Sequence, residues 1–110
     1  MREADEELIA RIRPLMKRRK GCSEKQMFGG ICFMINGNMC AGPWKGSLIV
    51  RLDKRQHEQT QAEPFVRPMD ITGKVMKGWA MVEPEGIASD EDLKAWLDRA
   101  VQFARSLPEK

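Results

Sequence analysis

Gln26-Met-Phe-Gly-Gly-Ile-Cys-Phe-Met-Ile-Asn-Gly-Asn-Met-Cys40 is the stretch that decides the fold of this chain. Two apolar runs flank Asn36-Gly37. A tight two-residue hairpin turn needs φ > 0 at both central positions, and Asn followed by Gly supplies that most readily. The stretch therefore predicts a β-hairpin with strands at Ile31–Ile35 and Asn38–Gly42. With this turn, Ile35 faces Asn38, Met34 faces Met39, Phe33 faces Cys40 and Cys32 faces Ala41. Directly opposed residues share a face and successive residues alternate. Cys32, Met34, Met39 and Ala41 are thus expected on one face, with Ile31, Phe33, Ile35 and Cys40 on the other. Cys32 and Cys40 then point to opposite sides and do not pair.

Both faces of the hairpin are apolar, but only one can pack on helices in a small two-layer domain. Contiguous exposed apolar surface marks an interaction site. Ile31, Phe33, Ile35 and Cys40 are accordingly taken as the candidate apolar interface. The competing reading is that a loop, Asp70–Gly78 with Met76, covers the second face.

Outward from the hairpin, helical periodicity marks both ends of the chain. Leu8, Ile9, Ile12, Leu15 and Met16 recur at three- and four-residue spacing, which predicts a helix from about Glu3 to Lys20. Pro14 lacks a donor for the carbonyl of Ala10 and crowds it, so a kink or break is expected there. Leu93, Trp96, Leu97, Ala100, Val101 and Ala104 form a second stripe, with Ser89 as N-cap and Pro108 as the stop. Between them, Glu24–Phe28 reads as a short strand, and Gly29-Gly30 as a bend. Pro43 is expected to end the pairing of its strand or to place it at an edge. Lys45-Gly46 reads as a second turn, followed by a strand at Ser47–Leu52 with Leu48, Val50 and Leu52 on one face. Asp53 is the predicted N-cap of a short polar helix. Phe65–Met69 is extended and Trp79–Glu83 is a last strand. Short connections between strands call for antiparallel pairing. The expected fold is α+β: one domain over 1–110, with an antiparallel sheet of five to six strands and the N- and C-terminal helices packed on it.

Composition bounds the function. At 110 residues, with 42% hydrophobic and 32% charged residues, the chain is an ordinary globular domain that needs no disulfide or metal to fold. No apolar run approaches a membrane span, and Met-Arg-Glu-Ala-Asp-Glu-Glu7 lacks the apolar core of a signal peptide, so a cytoplasmic location without membrane contact is expected. Three cysteines with no C-x-x-C spacing and a single histidine do not make a zinc site, so neither metal nor cofactor is expected. No phosphate-binding or zinc-protease motif is present, and His57 reads as a surface residue rather than a general base. Asp90, Glu91 and Asp92 suit the positive end of a helix dipole. No catalytic residues are assigned, and the chain is read as a non-enzyme.

Charge is uneven. Residues 1–55 hold 12 Lys/Arg against 6 Asp/Glu, whereas 56–110 hold 7 against 10. The excess gathers at Arg11, Arg13, Lys17, Arg18, Arg19, Lys20 and Lys25. Two readings compete: cations that complement the negative end of a helix dipole, and a patch that steers nucleic acid or an acidic partner. The candidate partner or nucleic-acid surface is Arg13, Lys17, Arg18, Arg19, Lys20 and Lys25, together with Trp44. Trp44 sits at a turn and is the one tryptophan expected to be exposed; Trp79 and Trp96 read as core.

The chain also resembles the TfoX N-terminal-domain family, named for a bacterial regulator of competence for DNA uptake that is also called Sxy. The resemblance rests on Lys25-Gln-Met-Phe-Gly-Gly30, Asn36-Gly-Asn-Met39, Arg67-Pro-Met-Asp70, Met76-Lys-Gly-Trp79, Leu93-Lys-Ala-Trp96 and Phe103-Ala-Arg-Ser-Leu-Pro108. It implies an α+β domain with an antiparallel sheet and no catalytic residues. In two-domain regulators of this kind a separate C-terminal domain follows. Here the chain ends at Lys110, so a stand-alone N-terminal domain is expected. The resulting expectation is a cytoplasmic interaction domain linked to transcription regulation, with a protein partner or a second copy as its ligand. Direct nucleic-acid binding through the basic end of the first helix is the alternative.

Overall fold

The computed structural model describes residues 3–27, 30–70 and 73–109. The chain runs α1 (Glu3–Met16), β1 (Cys22–Met27), β2 (Gly30–Ile35), β3 (Asn38–Trp44), β4 (Ser47–Arg51), α2 (His57–Gln61), β5 (Val66–Pro68), β6 (Trp79–Val82) and α3 (Asp90–Arg105). Short 3-10 turns precede α2 and α3. All strand pairs are antiparallel, and the six strands lie in the order β1-β2-β3-β4-β6-β5. The α+β expectation holds, with the sheet at six strands.

Both two-residue hairpin turns form as read. Asn36 and Gly37 have φ of 52° and 81°, and Lys45 and Gly46 have 50° and 85°, the double positive φ of a type I′ turn. Asp5, in the first turn of α1, accepts from the backbone N–H of Gly46 at 2.7 Å, which fastens the helix start to the second hairpin. At the other end of the sheet, the Asn38 side chain donates to the carbonyl of Pro108 at 2.9 Å and ties down the chain beyond α3.

The first hairpin departs from its predicted register. Met34 does face Met39 and Ile35 faces Asn38, but Phe33 pairs with Ala41 rather than Cys40. Cys40 is the extra residue of a β-bulge, which breaks the strict alternation of faces. As a result Phe33, Ile35, Cys40 and Ala41 all join the main core, with Cys40 fully buried.

That core lies between one face of the sheet and the two long helices. Ile12 and Met16 of α1 and Leu93, Leu97 and Ala100 of α3 are sealed against Phe33, Leu48 and Val50. Trp96 is buried there, as expected. Ser89 caps α3 by accepting from the N–H of Asp92 at 3.1 Å, and Asp53 caps the turn before α2 by accepting from the N–H of Arg55 at 2.9 Å.

Two helix and strand limits differ from expectation. α1 continues through Pro14 and stops at Met16, so Lys17–Lys20 lies in the turns after the helix. Pro14 supplies no N–H to the carbonyl of Ala10, an exposed residue on the solvent side of the helix, so the lost bond is not buried. Pro43 does not end its strand: it pairs with Leu48 in the β3–β4 ladder. The β2–β3 ladder stops at Phe33–Ala41, so the missing N–H of Pro43 falls where that ladder no longer asks for a donor. Phe28 and Gly29, part of the predicted first strand and bend, lie outside the described residues.

Candidate functional site on the open face of the sheet

Among the described residues no long helix covers the second face of the sheet. Alternation puts Lys25 of β1, Cys32 and Met34 of β2, Met39 of β3, Ile49 and Arg51 of β4, and Trp79 and Met81 of β6 on it. Half of this face is roofed by the loop between β5 and β6. Met69, Ile49 and Met81 are buried together, with Trp44, Met76 and Trp79 packed around them. The loop is fastened at both ends: Met76 donates from its backbone to the Met69 carbonyl at 3.1 Å, and Leu52 donates to the Gly78 carbonyl at 2.8 Å.

Gly78 is the tightest point. Its φ is +90°, and a Cβ added there would lie 2.7 Å from the carbonyl oxygen of Leu52. Its N–H donates to Nδ1 of His57 at 3.1 Å. His57 is therefore not a free surface residue. It is half-buried and holds the loop through a ring nitrogen that accepts, which fixes the proton of the neutral ring on Nε2.

The remaining half of the face is open. Lys25, Met34, Gly37, Met39, Arg51, Met76 and Trp79 line a shallow groove of about 460 Å³. These residues come from five neighbouring strands and the loop, so the groove runs across the strands. Met34 faces Met39 and Arg51 faces Trp79 directly. The Arg51 guanidinium lies 5.7 Å from the centroid of the Trp79 ring and 6.0 Å from that of Phe103. Neither Lys25 nor Arg51 makes an ion pair with a described residue.

The structure corrects the predicted apolar interface. Phe33, Ile35 and Cys40 are buried under the helices, and Ile31 packs partly against the same core. The larger and more β-branched side of the hairpin was drawn inward, and the methionine side was left outward. The loop with Met76 covers the second face only in part and leaves the rest open. Trp79, expected in the core, is half-buried on the open face. Trp44 is also half-buried, packed in the methionine cluster with the Lys45 ammonium 5.4 Å from its ring centroid.

The predicted basic surface is not brought together. Arg13 donates to both carboxylate oxygens of Glu24, at 3.0 and 2.9 Å. Arg19 donates to the Leu15 carbonyl at 3.0 Å and pairs with Asp98. Lys17, Arg18 and Lys20 are exposed in the turns after α1, whereas Lys25 stands on the opposite face of the sheet.

All three cysteines are free. Burial pushes the thiol of Cys32 up to about 11 and that of Cys40 up to about 12. The Cys22 thiol is also raised, by burial and then by the charge of Glu24. Such thiols stay protonated at neutral pH and are poor nucleophiles. Among the described residues no three His, Cys, Asp or Glu side chains converge as metal ligands, and no helix is long and apolar enough to cross a membrane.

The sequence alone does not point to Arg51 and Trp79 as lining the open face, and it places the candidate interface on the side opposite Met34 and Met39. One signal was available. In Ser47–Leu52, the face opposite Leu48 and Val50 carries Arg51, and a charged residue marks the wet side of a sheet. Joining that side to the methionines, however, required the bulge at Cys40.

Residues 14–104 match the TfoX N-terminal domain, 91 of the chain's 110 residues. The chain belongs to the TfoX N-terminal domain family. No curated protein matches it. In this TfoX N-terminal domain every groove residue, from Lys25 to Trp79, lies within the matched span. The anchoring carboxylate of Asp5 lies before it.

Proposed function

We propose that this TfoX N-terminal domain is a non-enzymatic protein–protein interaction module whose contact surface is the open face of the sheet. The observation that carries this reading is the row Met34, Met39, Arg51 and Trp79, which crosses a sheet face that no long helix among the described residues covers. Methionine suits such a surface because its unbranched, polarisable side chain adapts to varied partner shapes. Tryptophan and arginine are the residues most often found at the energetic centre of interfaces. Membership of the family supports a regulatory setting, and the role proposed is that of a bacterial cytoplasmic adaptor in competence or transcription control.

The test is affinity capture from the native cell with the wild-type domain and with the double variant Met34→Lys/Met39→Lys, read by mass spectrometry. A partner held by the wild type and lost by the variant is the expected result. An identical set of captured proteins would sink the reading. Light scattering at high protein concentration separates a second copy of the chain from a different partner.

Nucleic-acid binding is the second reading. It retains Lys17, Arg18 and Lys20, which are exposed and make no ion pair with a described residue. Retardation of DNA or RNA that weakens steeply with salt would favour it.

A further inference from the structure

We infer that the open groove recognises an acidic amphipathic helix of a protein partner, laid across the strands. The inference rests on the reading of this face as a protein contact surface and specifies its ligand.

The first support is charge. The described lining of the groove contains two cations, Lys25 and Arg51, and no acid. Six arginines of the domain pair with an acid within it, Arg11 with Asp90, Arg13 with Glu24, Arg19 with Asp98, Arg55 with Asp53, Arg67 with Glu83 and Arg99 with Glu63, whereas Arg18 and Arg105 make no ion pair with a described residue. Lys25 and Arg51 are left without such a partner among the described residues, although they flank apolar surface. A ligand that brings carboxylates to them and apolar side chains to Met34, Met39 and Trp79 is complementary in both respects. A second copy of the chain docking through the same face would set these cations against each other.

The second support is shape. Neighbouring strands are about 4.8 Å apart, so Lys25 on β1 and Trp79 on β6 are separated by about 19 Å across the face. A helix rising 1.5 Å per residue covers that distance in about 13 residues. A helix is one of the few layers that can bury an apolar sheet face. The other face of this sheet is already packed in that way by α1 and α3. Methionines form much of the floor, and among the described residues Trp79 is the one aromatic ring lining it. A single ring is a poor platform for successive stacked bases, so a peptide fits better than a single-stranded nucleic acid.

The test uses the whole chain with methyl-labelled methionines. The probes are two synthetic 15-residue amphipathic helices with the same leucine stripe, one flanked by glutamates and the other by lysines, and a thymidine oligonucleotide. The acidic peptide is expected to shift the methyl signals of Met34, Met39 and Met76, leave that of buried Met16 in place, and bind at least tenfold more tightly than its basic twin. In Lys25→Glu/Arg51→Glu the preference is expected to reverse in favour of the basic twin. Both expectations concern preference rather than fold, and the Met16 signal reports that each variant is intact. Equal binding of the two peptides at these methionines would overturn the acidic preference while leaving the face a protein contact surface. No methionine shift with either peptide, or a shift with the oligonucleotide alone, would overturn the inference; a protein captured by the wild type but not by Met34→Lys/Met39→Lys would still stand.

Discussion

The two faces of the sheet are built from the same strands, yet they are finished differently. One is sealed by α1 and α3 with Phe33, Ile35, Leu48 and Val50 against them. The other is roofed by a loop at Met69 and Met76 and left open at Met34 and Met39. On the sealed side, packing fixes each side chain, and Arg13, Arg19 and Arg99 around it are paired with acids. On the open side, the apolar groups are flexible methionines and the cations stand without carboxylates. Stability therefore belongs chiefly to the first face, and the recognition proposed above to the second. Substitutions should separate the two.

The largest effect is expected from Phe33→Ala. Phe33 is 1% exposed at the centre of the sealed face, and removing its ring should cost about 3–5 kcal/mol by chemical denaturation. Its strand neighbour Met34 points the other way. Met34→Ala should cost less than about 1 kcal/mol, because part of the side chain is already in water. If the two losses were equal, the assignment of faces would be wrong.

Gly78→Ala probes the roof of the open face. The added Cβ meets the Leu52 carbonyl at 2.7 Å, and the φ of +90° disfavours any L side chain. A loss of about 2 kcal/mol is expected, together with a change in Trp79 fluorescence as the loop carrying Met76 lifts. His57→Ala removes the acceptor of the Gly78 N–H and should move stability in the same direction by about 1 kcal/mol. An unchanged denaturation midpoint in both variants would show that the loop is not fastened at this point.

The sequence carried the sealed face well and the open face poorly, for identifiable reasons. The stripes of α1 and α3, the Asn36-Gly37 and Lys45-Gly46 turns and the caps at Asp53 and Ser89 are local signals, set within a few residues. The bulge at Cys40 is not local. It depends on how β3 meets β2 on one side and β4 on the other, and it turns Ala41 to the same side as Phe33 and Val50. Without it, the alternating pattern assigns Cys40 and Ala41 to different faces and leaves open which side the helices cover. Closeness in sequence makes the basic run look like one surface. Arg13 and Arg19 instead reach acids on β1 and α3, partners that only the tertiary fold supplies.

The cysteines offer an internal measure of the two faces. Cys32 faces the open side and Cys40 the sealed core, both with raised thiols. Under denaturing, non-reducing conditions three free thiols should titrate. In the native protein at pH 8, Cys40 should react at least tenfold more slowly than Cys32. Its thiolate is scarcer, and reaching it requires opening the helical layer rather than a local motion. Equal rates would mean that the sealed face opens as readily as the other.

The smallest effect is expected at Asp98, on the sealed side. Burial alone would raise its carboxyl, but hydrogen bonds from Lys94 and Arg19 outweigh that and hold it below the ordinary carboxylate range. The residue is nearly half exposed, so the pairing is worth about 0.5–1 kcal/mol, and Asp98→Asn should lose about that much at pH 7. A depressed carboxyl contributes stability above its unfolded value of about 3.9 and loses it as pH falls through the folded value. The difference between wild type and Asp98→Asn should thus be constant from pH 7 to about 5 and close below about 4. The groove lies on the other face of the sheet, so binding there should be unaltered by the substitution at neutral pH. A change in binding at neutral pH would couple the two faces and break the separation of stability from recognition.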